Sequence, residues 1–150
     1  MSLRVAQFLA VLLTALAFVP AGAHLFELPN KIDLPRDAYL TVQGIYAGWA
    51  WFGTVDLAAL VINAVLAVRL RRQRPAVYFA TAAALCFVVF FAIFFTWTFP
   101  ANQVTANWTT MPDDWSGLRR EWEYSHAVNA IVMLIAFCAV TLSVITTHHD

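Results

Sequence analysis

The sequence predicts an all-α membrane protein, a four-helix antiparallel bundle whose helices two and four extend beyond the membrane on its outer side. Composition is the first reason: of 150 residues, 61% are hydrophobic and 12% charged, more apolar side chain than one soluble core of that size can bury. The second is spacing. A helix needs about 20 mostly apolar residues to cross the hydrocarbon core, and four such windows lie at about residues 5–23, 48–68, 76–98 and 126–146. No repeat or linker separates them, so residues 1–150 read as a single domain.

The elements follow in order. Span one, from Val5 to Ala23, follows Arg4 and ends in Ala21-Gly22-Ala23, a pattern shared with a secretory signal whose cleavage would leave His24 at the new N-terminus. Its apolar run is longer than a usual signal core, so a retained helix is expected. Leu34-Pro35-Arg36-Asp37 then places a proline at a plausible first helical position, from which a helix could run into span two, Gly48 to Val68. Span three, Ala76 to Thr98, is followed by Pro100. Pro112-Asp113-Asp114 precedes a run of helix formers from Trp115 to Ser125, and acidic residues suit a helix N-terminus through its dipole. This run leads into span four, His126 to Thr146.

Arg69, Arg71, Arg72 and Arg74 crowd the short loop between spans two and three, and Arg4 precedes span one. By the positive-inside rule that face is cytoplasmic, which places both termini in the cytoplasm of a cell or inner membrane. On the outer segments, Lys31, Arg36, Arg119 and Arg120 are diluted by Glu27, Asp33, Asp37, Asp113, Asp114, Glu121 and Glu123. All six tryptophans fall at or near the outer boundary, whereas an ordinary anchoring belt is shared between both interfaces; an aromatic-lined outer structure is the expectation. Net charge is zero, so nothing in the balance suggests nucleic acid or an acidic substrate, and the apolar composition makes the lipid bilayer the surrounding partner. Cys86 and Cys138 lie in apolar runs without metal or disulfide spacing and read as packing. Asn107-Trp108-Thr109 matches a glycosylation acceptor, and His148 and His149 read as a solvated tail.

Candidate chemistry concentrates outside. Arg119, Glu123 and His126 are spaced four and three apart, which puts them on one helical face, flanked by Trp122 and Asn129. His24 and Glu27 repeat the three-residue spacing at the end of span one. Both histidines lie about 20 residues from their cytoplasmic helix ends, which at 1.5 Å per residue puts them near the outer boundary. Three readings stand side by side. These residues are interfacial polar groups with Arg119 pairing to Glu123; or they form a substrate pocket in which His126 or His24 accepts a proton; or His24, Glu27, Glu123 and His126 bind a transition metal, since a Glu-x-x-His pair is what di-metal bundles use. Asp56 lies inside span two, where an ionised carboxylate is costly, on a stripe with Trp49, Phe52 and Asn63. It reads either as an interhelical hydrogen-bonding group or as a group for proton movement or pocket electrostatics. Asn102 and Gln103, after Pro100, could reach the same outer site.

The elements Ala23-His24-Leu25-Phe26-Glu27-Leu28-Pro29-Asn30-Lys31, Phe99-Pro100-Ala101-Asn102, and Trp115, Arg119, Trp122, Glu123 and His126 leading into span four together resemble the family of small four-helix membrane proteins that includes the anthrone oxygenases. The resemblance covers nearly the whole chain. It implies an oxygenase that inserts oxygen from O2 into a lipophilic, electron-rich aromatic or quinone-like substrate without metal or flavin. It would give His126 the role of base, with His24 as second candidate, and make Asn102, Arg119, Trp122 and Glu123 pocket residues. A non-catalytic accessory subunit, docking a partner through its outer aromatic surface, is the alternative from a different class. A homo-oligomer or larger membrane complex is compatible with either.

Overall fold

A computed structural model describes residues 1–148; His149 and Asp150, the end of the expected tail, lie outside the described residues. The chain is helical: α1 (Leu3–Lys31), α2 (Arg36–Gln43), two single 3₁₀ turns (Gly44–Tyr46 and Trp49–Trp51), α3 (Phe52–Arg69), α4 (Ala76–Ile93), a π-helical turn (Phe94–Thr98), α5 (Phe99–Val104) and α6 (Trp115–Ile145). Four helical stretches, Leu3–Lys31, Trp49–Arg69, Ala76–Val104 and Trp115–Ile145, are long and apolar enough to cross a membrane. Large side chains such as Phe8, Val19, Leu57, Val61, Leu85, Ile131 and Ile145 point outward from them, as lipid-facing positions do.

The interior is built mainly of alanine. Ala6, Ala10, Ala80, Ala83 and Ala139 pack with Ile62, Leu66, Leu70 and Val140 in one layer, and Ala17, Ala21, Ala59, Ala130 and Ala136 pack with Phe87 and Met133 in the next. Small residues let helix backbones approach closely, which drives association where lipid removes the hydrophobic contribution. Arg69 Nη1 donates to the Met1 carbonyl at 3.0 Å and Ser143 Oγ to the Ala76 carbonyl at 3.0 Å. The start of α1, the end of α3, the start of α4 and the end of α6 therefore meet at one end of the bundle. Midway, Asn63 Nδ2 donates to Thr14 Oγ1 at 2.9 Å, tying α3 to α1.

Three boundaries differ from the expectation, and each shapes the opposite end. The first helix continues to Lys31 through Pro20 and Pro29, so His24, Glu27 and Lys31 share one rigid rod. The first outer segment does not run unbroken into span two. Pro35 caps α2 instead of opening it, and the chain then turns at Gly48, whose φ of 86° only glycine adopts without strain. The third helix passes Pro100 and ends at Val104. Its π turn falls just before that proline, which cannot donate the N–H an α-helix would use there. As expected, α6 opens directly after Asp114. Its 31 residues make about 46 Å at 1.5 Å each, longer than the ~30 Å hydrocarbon core.

Candidate functional site

The end of α1 and the first third of α6 lie side by side, and α2 with its following turns packs over them. That arrangement gathers residues from four parts of the chain around one ammonium group. Lys31, only 3% exposed, places Nζ 3.0 Å from Glu123 Oε1 and 3.6 Å from Glu27 Oε2. It also donates to Tyr46 Oη at 2.6 Å and approaches Gln43 Oε1 at 3.5 Å. Tyr46 Oη donates in turn to Glu27. Aromatic faces complete the enclosure, with Nζ 4.3 Å from the Tyr46 ring centre and 4.9 Å from that of Trp122. A buried ammonium needs this density of acceptors and ring faces to offset its lost hydration.

Glu123 is fully buried and accepts from Tyr39 Oη at 2.8 Å, and Gln43 Nε2 donates to that same oxygen at 2.8 Å. Tyr39 stands outside the spanning helices and is itself fully buried. Burial pushes its phenol well above the usual range, and the Glu123 carboxylate acts in the same direction. The unfolded phenol titrates near ~10, so above that pH the unfolded chain releases a proton the folded chain retains. Stability present below pH ~10 is therefore expected to fall as pH rises past it. Tyr39→Phe should flatten that decline in a denaturation series from about pH 8 to 11, and should cost about 1–3 kcal/mol at neutral pH because a buried carboxylate loses a donor.

Beside this ion pair the two histidines meet. The His24 and His126 rings stack with centroids 4.1 Å apart. Trp122 lies 4.2 Å from His126 and 5.0 Å from His24; Tyr46 and Trp49 lie 4.6 and 5.7 Å from His24. His24 is 5% exposed, and among the described residues its Nδ1 has no hydrogen-bond partner, nor has Oε2 of Glu123. The spacing argument that brought His24, Glu27, Glu123 and His126 to one end is matched by their placement. What it did not anticipate is a cation already among them: Lys31 sits between Glu27 and Glu123. Among the described residues, no three His, Cys, Asp or Glu side chains gather as ligands around a metal would.

The remaining candidates divide. Asn102 Oδ1 accepts from Trp122 Nε1 at 2.7 Å, so a residue of α5 orients the ring that faces both histidines. Arg119 does not pair with Glu123. Its Nη1 donates to the Leu34 carbonyl at 2.7 Å and its guanidinium stacks 4.6 Å over Trp115, because Lys31 and Tyr39 already occupy Glu123. Asp56 is buried, with Oδ1 unpartnered among the described residues. The interhelical hydrogen bond considered for it belongs instead to Asn63. Gln103 is exposed, and Asn129 is buried one turn below His126.

The tryptophans also divide. Trp108 and Trp122 are buried, Trp49 and Trp115 half-buried, and Trp51 and Trp97 exposed. Trp108 is turned inward by Ala106, Asn107 and Trp108, all at positive φ, a strained run held by Thr105 Oγ1, which accepts from the Trp108 amide at 3.0 Å. Its ring then meets Tyr39 at 5.1 Å and Trp122 at 5.8 Å.

An open groove of about 480 Å³ reaches the cluster from outside, lined by Ala23, Phe26, Glu27, Lys31, Val42 and Ile45 among others. That is the size range of small-molecule sites. Lys31, Tyr39, Gln43 and Tyr46 were not singled out as site residues from sequence. Yet a signal existed: Lys31 follows Glu27 by four and His24 by seven, and Tyr39, Gln43 and Tyr46 are spaced four and three, the periodicity that singled out Arg119, Glu123 and His126. No protein-family model matches this chain, and it matches no curated protein and no solved structure.

Proposed function

We propose that the chain is an oxygenase-like integral membrane enzyme that oxidises a lipophilic aromatic or quinone-like substrate with O2, its histidine site on the outer face and both termini in the cytoplasm. The observation that carries this reading is the stacked His24–His126 pair, walled by Trp122, Trp49 and Tyr46, with an unpartnered imidazole nitrogen and a buried ammonium beside it. An apolar substrate would reach it along the groove over Phe26, Val42 and Ile45, one residue from His24 at Ala23. His24 or His126 takes the proton from the electron-rich ring system. The resulting carbanion gives one electron to O2, the carbon radical and superoxide combine to a peroxide, and the peroxide takes back the proton and loses water to leave the new carbonyl. Lys31 places a fixed positive charge where negative charge develops, and the aromatic wall keeps water from the carbanion.

Trp108 and Trp122 pack inward against the site, which favours a pocket there over a purely docking surface; Trp51 and Trp97 are exposed. The orientation rests on the arginine loop, at the end of the bundle opposite the histidines. The test is O2 uptake by the detergent-purified protein with hydroxylated anthrones and alkyl quinols, measured together with its metal content. Uptake above the spontaneous rate by metal-free protein is the expected result. No uptake with any of them would remove the reading, and stoichiometric metal lost in a His24→Ala, His126→Ala double variant would replace it with a metal centre.

A further inference from the structure

We propose that the lipid-facing side of α3 and the arginine loop beyond it form a binding site for an anionic glycerophospholipid. A groove of about 400 Å³ runs along this side, lined by Leu60, Val61, Ala64, Val65, Val68 and Arg69. The small Ala64 forms its floor between the larger side chains of Val61, Val65 and Val68, all three of which project outward. Every lining residue is aliphatic except the last. From Leu60 to Arg69 the helix rises about 13 Å at 1.5 Å per residue, close to the ~15 Å that one leaflet contributes to the hydrocarbon core. The groove therefore has the length and chemistry of an acyl chain, with a guanidinium where the chain would meet its head group.

The charge at that end selects the lipid. Arg69, Arg71, Arg72 and Arg74 fall within six consecutive residues that contain no acid, and all four are exposed. Arg69 and Arg71 donate to backbone carbonyls, of Met1 and Val68, and Arg74 lies over the Tyr78 ring. None of these contacts cancels a charge, and among the described residues none of the four guanidinium groups pairs with a carboxylate. A phosphate diester with no compensating cation is what such a cluster binds, bidentately where an arginine can present its fork. A zwitterionic head group brings its own ammonium into the same cluster and is disfavoured.

Delipidated protein in detergent, titrated with phosphatidylglycerol or phosphatidylcholine of identical chains, tests this by native mass spectrometry and thermal unfolding. One phosphatidylglycerol should be retained per chain and raise Tm, with phosphatidylcholine binding at least tenfold more weakly. Ala64→Trp, which fills the groove, and the triple change Arg69→Gln, Arg71→Gln, Arg72→Gln, which removes charge, should each weaken phosphatidylglycerol at least tenfold. Both variants should keep the Tm of the parent in phosphatidylcholine; if Ala64→Trp lowers it, Ala64→Leu takes its place, and if the triple change lowers it through the lost Arg69–Met1 bond, the double change Arg71→Gln, Arg72→Gln takes its place. Equal binding of the two lipids, full binding after the groove is filled, or inorganic phosphate matching the lipid would overturn the site. So would a dimer mass that disappears in Ala64→Trp, which would assign the groove to a second copy of the chain.

Discussion

Lys31→Ala is expected to lower the unfolding temperature of the detergent-purified protein more than any other single change at the outer end. Lys31 is 3% exposed and its partner Glu123 is wholly buried, so removing the ammonium strands a carboxylate that water cannot reach. Breaking one side of such a pair costs about 3–5 kcal/mol. Tyr39 alone would still donate to Glu123, and one neutral hydrogen bond does not offset that loss. The double variant Lys31→Met, Glu123→Gln should recover much of the stability, because replacing both charges removes the desolvation cost together with the attraction. A single variant as stable as the parent would show that the ion pair does not hold α1 to α6. A double variant no better than the single would show that packing around Lys31, not its charge, is what matters.

The second large effect concerns chemistry. His126→Ala and His24→Ala should each reduce oxygenase turnover by about 10²–10⁴-fold, the usual contribution of a positioned general base, while leaving the membrane-inserted bundle folded. Among the described residues neither ring has a hydrogen-bond partner; both pack on aromatic faces, so truncation leaves space more than it leaves an unpaired charge. Added imidazole should restore part of the lost rate by filling that space. Because the rings stack, removal of one exposes the other, and the variant with the larger loss identifies which ring takes the proton. Unchanged turnover in both would move the base elsewhere in the cluster, with Glu27 at the groove the first group to examine.

The helical architecture was legible in sequence because each apolar window is a local property: about 20 residues that must satisfy their own backbone in lipid form a helix whatever their neighbours do. Helical spacing likewise placed Glu123 and His126 on one face, and the depth count brought His24 to the same level. The outer turns of α6 were placed correctly from sequence as well; what sequence reading stopped short of was the course of the chain past the end of span one and into span two. Taking Ala23 as the end of the first helix left Lys31 in a loop, one diluted charge among several. Once the helix is continued through Pro29, His24, Glu27 and Lys31 become one stripe. The break at Gly48 was hidden for a different reason, since nothing nearby dictates that this glycine takes a positive φ in place of continuing a helix.

Pairing was decided by tertiary structure alone. Arg119 and Lys31 are both cations within reach of Glu123 by sequence logic, Arg119 being one helical turn away on the same helix. Lys31 holds Glu123 because α1 and α6 lie side by side, and α2 covers that contact with Tyr39 and Gln43, which leaves Arg119 to the Leu34 carbonyl and Trp115. Helix type and depth follow from neighbours a few residues away along the chain. Which charge meets which depends on groups as far apart as residues 31 and 123, and only the packed bundle brings them together.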